Sequence, residues 1–306
     1  MQFTVLLLTL WVGFVSGSSD IDALLEFKKG IQKDPTGRVS NSWNQVILQE
    51  SNGCPLTWYG VQCNVNRVSS ITLNDMALVG TINFSALAKM KALHNLSLSN
   101  NHFTGNLSPE VGAISSLEFL DLSCNSFDGS IPSELTKIGN LVSLNLSFNN
   151  FDGPVPAGFG NLKKLKSLDM CGNSISGDLD DILGQLQNVV HVDLSQNQLS
   201  GSIESISDNS PIIDSLQYLN ISHNKLSGEL FAKDPVPVFD NLEVFDASFN
   251  QLSGNVPSFN FLFSLRILRL GNNQLSGSLP EALFKESSMV LTELDLSCNQ
   301  LTGSPT

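Results

Sequence analysis

Residues 117–132 read LEFLDLSCNSFDGSIP, and residues 141–156 repeat them as LVSLNLSFNNFDGPVP. A third copy, LRILRLGNNQLSGSLP, stands at residues 265–280. The shared frame is L-x-x-L-x-L-x-x-N-x-L/F-x-G-x-I/L/V-P. Ten copies run between Leu73 and Thr306, with the Asn at Asn101, Asn125, Asn149, Asn173, Asn197, Asn224, Asn250, Asn273 and Asn299, and Met76 in its place in the first copy. Successive copies lie 24 or 25 residues apart up to Asn197, then 27, 26, 23 and 26. A period of this length means one small structural unit per copy, stacked into a solenoid, because no copy can bury its apolar face alone. Such a solenoid is a surface for holding other molecules.

Each position of the frame has a physical task. The alternation in L-x-x-L-x-L predicts a short strand with Leu120 and Leu122, or Leu144 and Leu146, pointing inward. Stacked, these strands form a continuous parallel sheet. The Asn that follows enters the interior, which is tolerable only if its amide bonds the backbone of the turn and its neighbour. Repeated, it makes an Asn ladder that Met76 breaks. The later Gly admits a positive φ or a close backbone approach. The apolar residue after it, as in Ile131-Pro132, starts the return path on the convex side. Ser202–Asp214 and Glu229–Asp240 are lengthened, turn-rich coils, expected as convex loops, with a partner-contact insert as the alternative.

A formal net charge of −13 argues against nucleic acid, whose phosphates need a basic stripe. Residues 3–15 (FTVLLLTLWVGFV) form an uncharged apolar run followed by small residues. It reads as a secretory signal cleaved near Gly17, although no Lys or Arg precedes it. The expected organisation is a signal peptide at 1–18, an N-terminal cap at 19–66 and about ten repeats at 67–306, the last cut short. In the cap, Ile21, Leu24, Leu25, Phe27 and Ile31 suit a helix that closes the first coil, with Pro35 beyond its end. Of five cysteines, Cys54 and Cys63 lie outside the array and suit a disulfide in an oxidising compartment. Cys124 and Cys171 are two repeats apart, so about 9–10 Å at a strand spacing of about 4.8 Å, beyond the reach of about 7 Å that a bridge allows. With Cys298 they are expected as free thiols, pairing to another chain being the alternative.

The endings of the copies, as in Leu252-Ser253-Gly254-Asn255-Val256-Pro257, resemble the plant-type leucine-rich repeat. Ahead of the array, Asp22-Ala23-Leu24-Leu25-Glu26-Phe27-Lys28, Asp34-Pro35-x-Gly37, Trp43-Asn44 and Cys54-x3-Trp58-x-Gly60-Val61-x-Cys63 resemble the N-terminal cap of plant leucine-rich-repeat receptor-like kinases. The resemblance covers about residues 20–306 and implies the fold: an α/β repeat, a right-handed leucine-rich-repeat solenoid with a parallel concave sheet and a helical N-terminal cap. It also implies a single transmembrane helix and a cytosolic kinase domain after the array. No glycine-rich phosphate loop, VAIK-like lysine, HRD or DFG occurs in these residues, so no kinase activity and no cofactor are expected of them. The wording is similar to the subgroup whose kinase domains are atypical or inactive. The stop inside a repeat, without a C-terminal cysteine cap, suggests a fragment or truncated product of a longer receptor. The implied partner is a protein or peptide ligand, or a co-receptor ectodomain, outside the cell at the plasma membrane. A secreted inhibitor of cell-wall-degrading enzymes, similar to polygalacturonase-inhibiting proteins, is the alternative.

On the strand face, the position between the two inward leucines reads Ser97, Asp121, Asn145, Asp169, Asp193, Asn220, Asp246, Arg269 and Asp295. A carboxylate string could draw a basic ligand, but Asp is common there in the plant repeat and needs hydration or a bond to the adjoining Ser. Phe119, Phe148, His191, Tyr218, His223 and Phe249 lie on or beside the same face and are candidate partner-binding anchors. For Phe148 and Phe249, burial between neighbouring coils is the alternative. Arg269 is the one basic residue of its column. Related peptide-hormone receptors pair two arginines two residues apart, whereas here the second place is Gly271. Sequons stand at Asn83, Asn95, Asn106, Asn145 and Asn220, candidate glycosylation sites of a secreted chain. Glycans at Asn145 and Asn220 are expected to shield the strand face, directing a partner elsewhere. The four histidines, His94, His102, His191 and His223, fall in different repeats without ligand spacing, so neither a metal site nor a catalytic site is expected.

Overall fold

The computed structural model describes residues 20–44, 54–203, 212, 214–230, 241–257, 264–280 and 290–303. The expected signal at 1–18 and most of both lengthened coils lie outside the described residues.

Period-two alternation resolves into one sheet of 11 strands in chain order. It opens with Val61–Asn64, antiparallel to Arg67–Thr72. From Arg67–Thr72 onward every pairing is parallel, and each repeat adds three residues, as in Phe119–Asp121, Ser143–Asn145 and Ser167–Asp169. The register never slips: Leu120 faces Leu144, which faces Leu168, which faces Val192. These residues and the following Leu122, Leu146, Met170 and Leu194 are buried in one continuous core. Each fully buried Leu contributes about 1.5–3 kcal/mol.

The ladder forms as its chemistry requires. Asn149 Nδ2 donates to Leu146 O (3.1 Å) and Ser147 O (3.1 Å) in its own coil and to Leu122 O (3.0 Å) one coil back. Its Oδ1 accepts the Phe127 N–H, also from the preceding coil, at 3.0 Å. Each later ladder Asn, through Asn299, repeats this pattern. Met76 does not break the ladder but ends it. Its side chain is buried, and its backbone N–H, with that of Leu78, bonds Asn101 Oδ1.

A second sheet went unforeseen. The segments after the ladder position, such as His102–Asn106, Ser126–Ser130 and Asn150–Pro154, pair in parallel as six strands of a seven-stranded ribbon on the flank, whose remaining strand is Ile31–Lys33 of the cap. Its buried residues include Phe103, Phe127 and Phe151, the last two stacked at 6.2 Å. The Gly of the frame sits in this ribbon with positive φ, for example 70° at Gly129 and Gly153. Short helical turns, among them Pro109–Ala113 and Ser133–Lys137, carry the chain back along the convex side.

The cap helix spans Asp20–Lys28 and is shorter than expected. Ile31 belongs instead to a strand, Ile31–Lys33, paired antiparallel with Val79–Gly80. That contact is tight, since a Cβ on Gly80 would lie 2.0 Å from Gly30 O. Phe27, Trp43 and Trp58 close the end of the core, the two indoles stacked at 5.5 Å. Asp20 binds Arg67 through both carboxylate oxygens at 2.8 Å and accepts the Val68 N–H, locking the helix to the first strand.

Candidate functional site

The concave sheet presents its residues in columns, because register is constant from coil to coil. In the column between the inward leucines, the acidic residues hold the turn. Oδ1 of Asp121, Asn145, Asp193, Asp246 and Asp295 accepts both the backbone N–H and the hydroxyl of the Ser two residues on. Asp169 accepts the Cys171 N–H and also meets the Cys171 thiol, and Asn220 accepts the Ser222 N–H. These bonds account for the carboxylate string without a ligand.

Arg269 departs from the pattern, but not as a free cation. Its guanidinium holds Glu293 at 2.5 Å and Asp246 at 3.5 Å on the flanking strands. The bond to Glu293 comes first in raising the Arg269 pKa, and the same bond lowers that of Glu293. A side chain at position 271 would meet the Asp295 carboxylate within 3.0 Å, so no second arginine fits there without a shift.

The neighbouring column holds most of the candidate anchors. Register aligns His191 with Tyr218, Tyr218 with Val244 and Val244 with Ile267. The His191 and Tyr218 rings stack at 4.2 Å and 14°, and the four side chains form a half-buried stripe across four coils. Burial, then the Asp193 charge, pushes the Tyr218 hydroxyl above its ordinary range, so it stays a hydrogen-bond donor. Phe119 stands in the same column three coils nearer the cap, 45% exposed.

A further column lies at the residue before each ladder Asn. Asn100, Cys124, Phe148, Gln196, His223, Phe249, Asn272 and Cys298 all have φ between 51° and 57°. Positive φ is uncommon outside glycine, yet here it aims the backbone N–H at the next coil, as from Phe148 to Cys171 O at 2.8 Å. It also turns the side chain outward. Phe148 and Phe249 are therefore exposed at 49% and 47%, not buried between coils. His223 and Phe249 stack at 4.1 Å, and Phe148 covers Gly172, where a Cβ would come within 2.6 Å of its ring.

Cys54 and Cys63 are bridged, with Cα atoms 6.0 Å apart, while Cys124, Cys171 and Cys298 are free. The fold gathers Asp169, Cys171 and Asp193, whose ligand atoms lie within 4.8 Å of one another, a cluster that spacing along the chain hid. Burial first, then the two carboxylates, pushes the Cys171 thiol far upward. The thiol is therefore protonated and a poor nucleophile at neutral pH. The sequons divide by place. Asn83 caps the turn Phe84–Leu87, Asn106 is exposed at the end of a ribbon strand, and Asn95, Asn145 and Asn220 lie on the concave sheet.

A family model for a leucine-rich repeat region matches residues 54–302, and one for a leucine rich repeat N-terminal domain matches residues 18–64. The chain belongs to the leucine-rich-repeat family. Over 102 residues it is 45% identical to the LRR receptor-like serine/threonine-protein kinase GHR1 of Arabidopsis thaliana, covering 33% of this chain and 10% of that protein. Over 112 residues it is 42% identical to the probable inactive receptor kinase At5g10020 of the same plant, covering 36% and 11%. These alignments span about a tenth of each relative. Among solved structures, the PEPR1–AtPEP1 complex superposes with a TM-score of 0.73 at 28% identity, over 92% of this chain and 42% of that one. A plant ice-binding protein gives 0.79 at 29% identity, over 94% and 89%. The Arabidopsis HAESA ectodomain with its IDA peptide gives 0.57 at 32% identity, over 93% and 54%. The plant-type leucine-rich-repeat fold implied by the repeats and the cap is thus the fold observed.

Proposed function

We propose that this leucine-rich-repeat chain is the extracellular recognition region of a plant receptor-like kinase, reaching the cell surface by the secretory route and glycosylated at its sequons other than Asn220, which shares a strand with Tyr218 and stays bare for a partner to dock there. Signalling belongs to a membrane helix and a kinase or inactive kinase domain of the longer protein. The stripe His191–Tyr218–Val244–Ile267 carries this reading, because aligned half-buried apolar side chains on a concave sheet suit an extended peptide or the face of a co-receptor ectodomain. The structure of the HAESA receptor kinase ectodomain with its IDA peptide hormone, which this chain resembles over 93% of its length, supports it. Around the stripe four carboxylates, Asp193, Asp246, Glu243 and Glu293, stand against one cation, Arg269, which bridges two of them, and this net negative charge favours a ligand with basic groups.

The test is binding of the secreted, glycosylated chain to peptide-hormone and co-receptor ectodomain panels by surface plasmon resonance. Tyr218→Ala should weaken the binding found by about ten- to a hundredfold, the loss typical of a central aromatic anchor. Binding unchanged in both Tyr218→Ala and Val244→Asp would refute the placement. The second reading is the alternative that the resemblance left open, a secreted inhibitor of cell-wall-degrading enzymes. Inhibition of a polygalacturonase at stoichiometric concentration would favour it.

A further inference from the structure

On the concave face His191 and Tyr218 stack on each other, as do His223 and Phe249, whereas Phe119 and Phe148 share no ring contact among the described residues. Phe148 lies over Gly172, and Phe119 lies instead at a hollow. Its partner in register is Asn95, the asparagine of the sequon Asn95-Leu96-Ser97. Adjacent strands lie about 4.8 Å apart, and both residues line one open hollow of about 520 Å³ at the cap end of the sheet. That volume falls within the range of small-molecule sites. Apart from Leu120, the other walls are polar, among them Gln62, Thr72, Asp121 and Ser143.

We propose that this hollow seats the chain's own N-glycan, with the first N-acetylglucosamine of Asn95 lying against the Phe119 ring. The inference rests on the secretory reading above. A pyranose ring carries polarised C–H bonds on one face and hydroxyl and acetamide groups around its edge. The C–H face complements the negative face of an aromatic ring, and the edge groups complement amide, hydroxyl and carboxylate walls. In the attachment step, Asn95 Nδ2 bonds the sugar C1, the C1–O bond to a lipid-pyrophosphate donor breaks, and one amide proton leaves with the lipid pyrophosphate. The remaining N–H suffices for the shorter of the two bonds that Nδ2 makes, 2.9 Å to Ser70 Oγ against 3.4 Å to Thr72 Oγ1.

The order of events follows from Ser97. Its hydroxyl donates to Asn74 Oδ1 at 2.9 Å and to Asp121 Oδ2 at 3.3 Å, and the residue is buried. The folded sequon is closed to a transferase, so the sugar is attached first and the coil closes around it. Phe119 then serves as a platform for the glycan and leaves the partner-binding face to the stripe beyond His191.

The test uses the secreted chain, glycopeptide mapping and release of native glycans by a peptide:N-glycosidase, with the exposed Asn106 site as the reference in the same molecule. Asn95 should be occupied and released about tenfold more slowly than Asn106, a ratio equal to ~1.4 kcal/mol at 25 °C. Phe119→Ala, at an exposed position that leaves the core intact, should bring the two rates together. Asn95 empty while Asn106 or Asn145 is occupied would overturn this inference and leave the proposed function standing. Equal rates in the parent chain, or a Phe119→Ala variant that keeps the difference, would also overturn it. All five sequons empty in the secreted chain would remove the inference together with the glycoprotein reading beneath it.

Discussion

Replacing Asn149 tests what holds the coils together. Its two amide hydrogens serve three carbonyls, Leu122 O, Leu146 O and Ser147 O, while Oδ1 satisfies the Phe127 N–H. The side chain is 7% exposed, so water does not replace these bonds. At about 1–2 kcal/mol for each of about three effective bonds, Asn149→Leu should cost about 3–6 kcal/mol. A domain is stable by only about 5–15 kcal/mol, so one side chain removes about a fifth of the total or more. Asn149→Ala should cost less, because a water entering the smaller residue's void can meet part of the demand. Since each coil touches only its neighbours, the damage should stay local. Hydrogen exchange should rise first in residues 119–132 and 143–156, with urea unfolding giving the total. A loss below about 1 kcal/mol in Asn149→Leu, or exchange rising uniformly along the array, would refute the assignment of stability to the ladder.

Three other expectations follow. Gly112→Ala should destabilise, because its Cβ would lie 2.2 Å from Glu134 O on the next convex turn, whereas Gly139→Ala, with nothing within 4 Å, should be neutral or slightly stabilising; paired thermal melts compare them. Under native conditions iodoacetamide should label the exposed Cys124 and Cys298 and spare the buried Cys171 until denaturant is added, as read by peptide mass spectrometry. Burial raises the Asp169 carboxyl above its unfolded value of 3.8, so the native state binds that proton more tightly and its penalty at neutral pH disappears as pH falls through the folded pKa. Asp169→Asn should therefore gain stability at pH 7 and lose that gain near pH 3, measured by urea titration at both values.

Period and polarity made the concave sheet, the inward leucines and the ladder legible, because each is dictated by burial repeated at fixed spacing. The flank ribbon was not legible. Its strands carry one buried residue each, Phe127 or Phe151, beside a Gly at positive φ, and no alternation distinguishes them from a turn. Of the candidate anchors, position was legible and pairing was not. Which ring stacks on which depends on neighbours a coil away in space and 26 or 27 residues away in sequence, as for His191 with Tyr218 and His223 with Phe249. Arg269 read as an available cation because its partners, Glu293 and Asp246, belong to other repeats. Cys171 joined two carboxylates for the same reason.

The backward reach of the ladder amides gives the array a polarity. A coil's turn N–H, such as that of Phe127, finds its acceptor on the Asn of the coil that follows. The two faces of a coil are therefore not equivalent: the face toward the cap offers a ladder amide, and the face away from it asks for one. Cutting the array between two coils would leave turn N–H groups unmet on one side and an idle amide on the other.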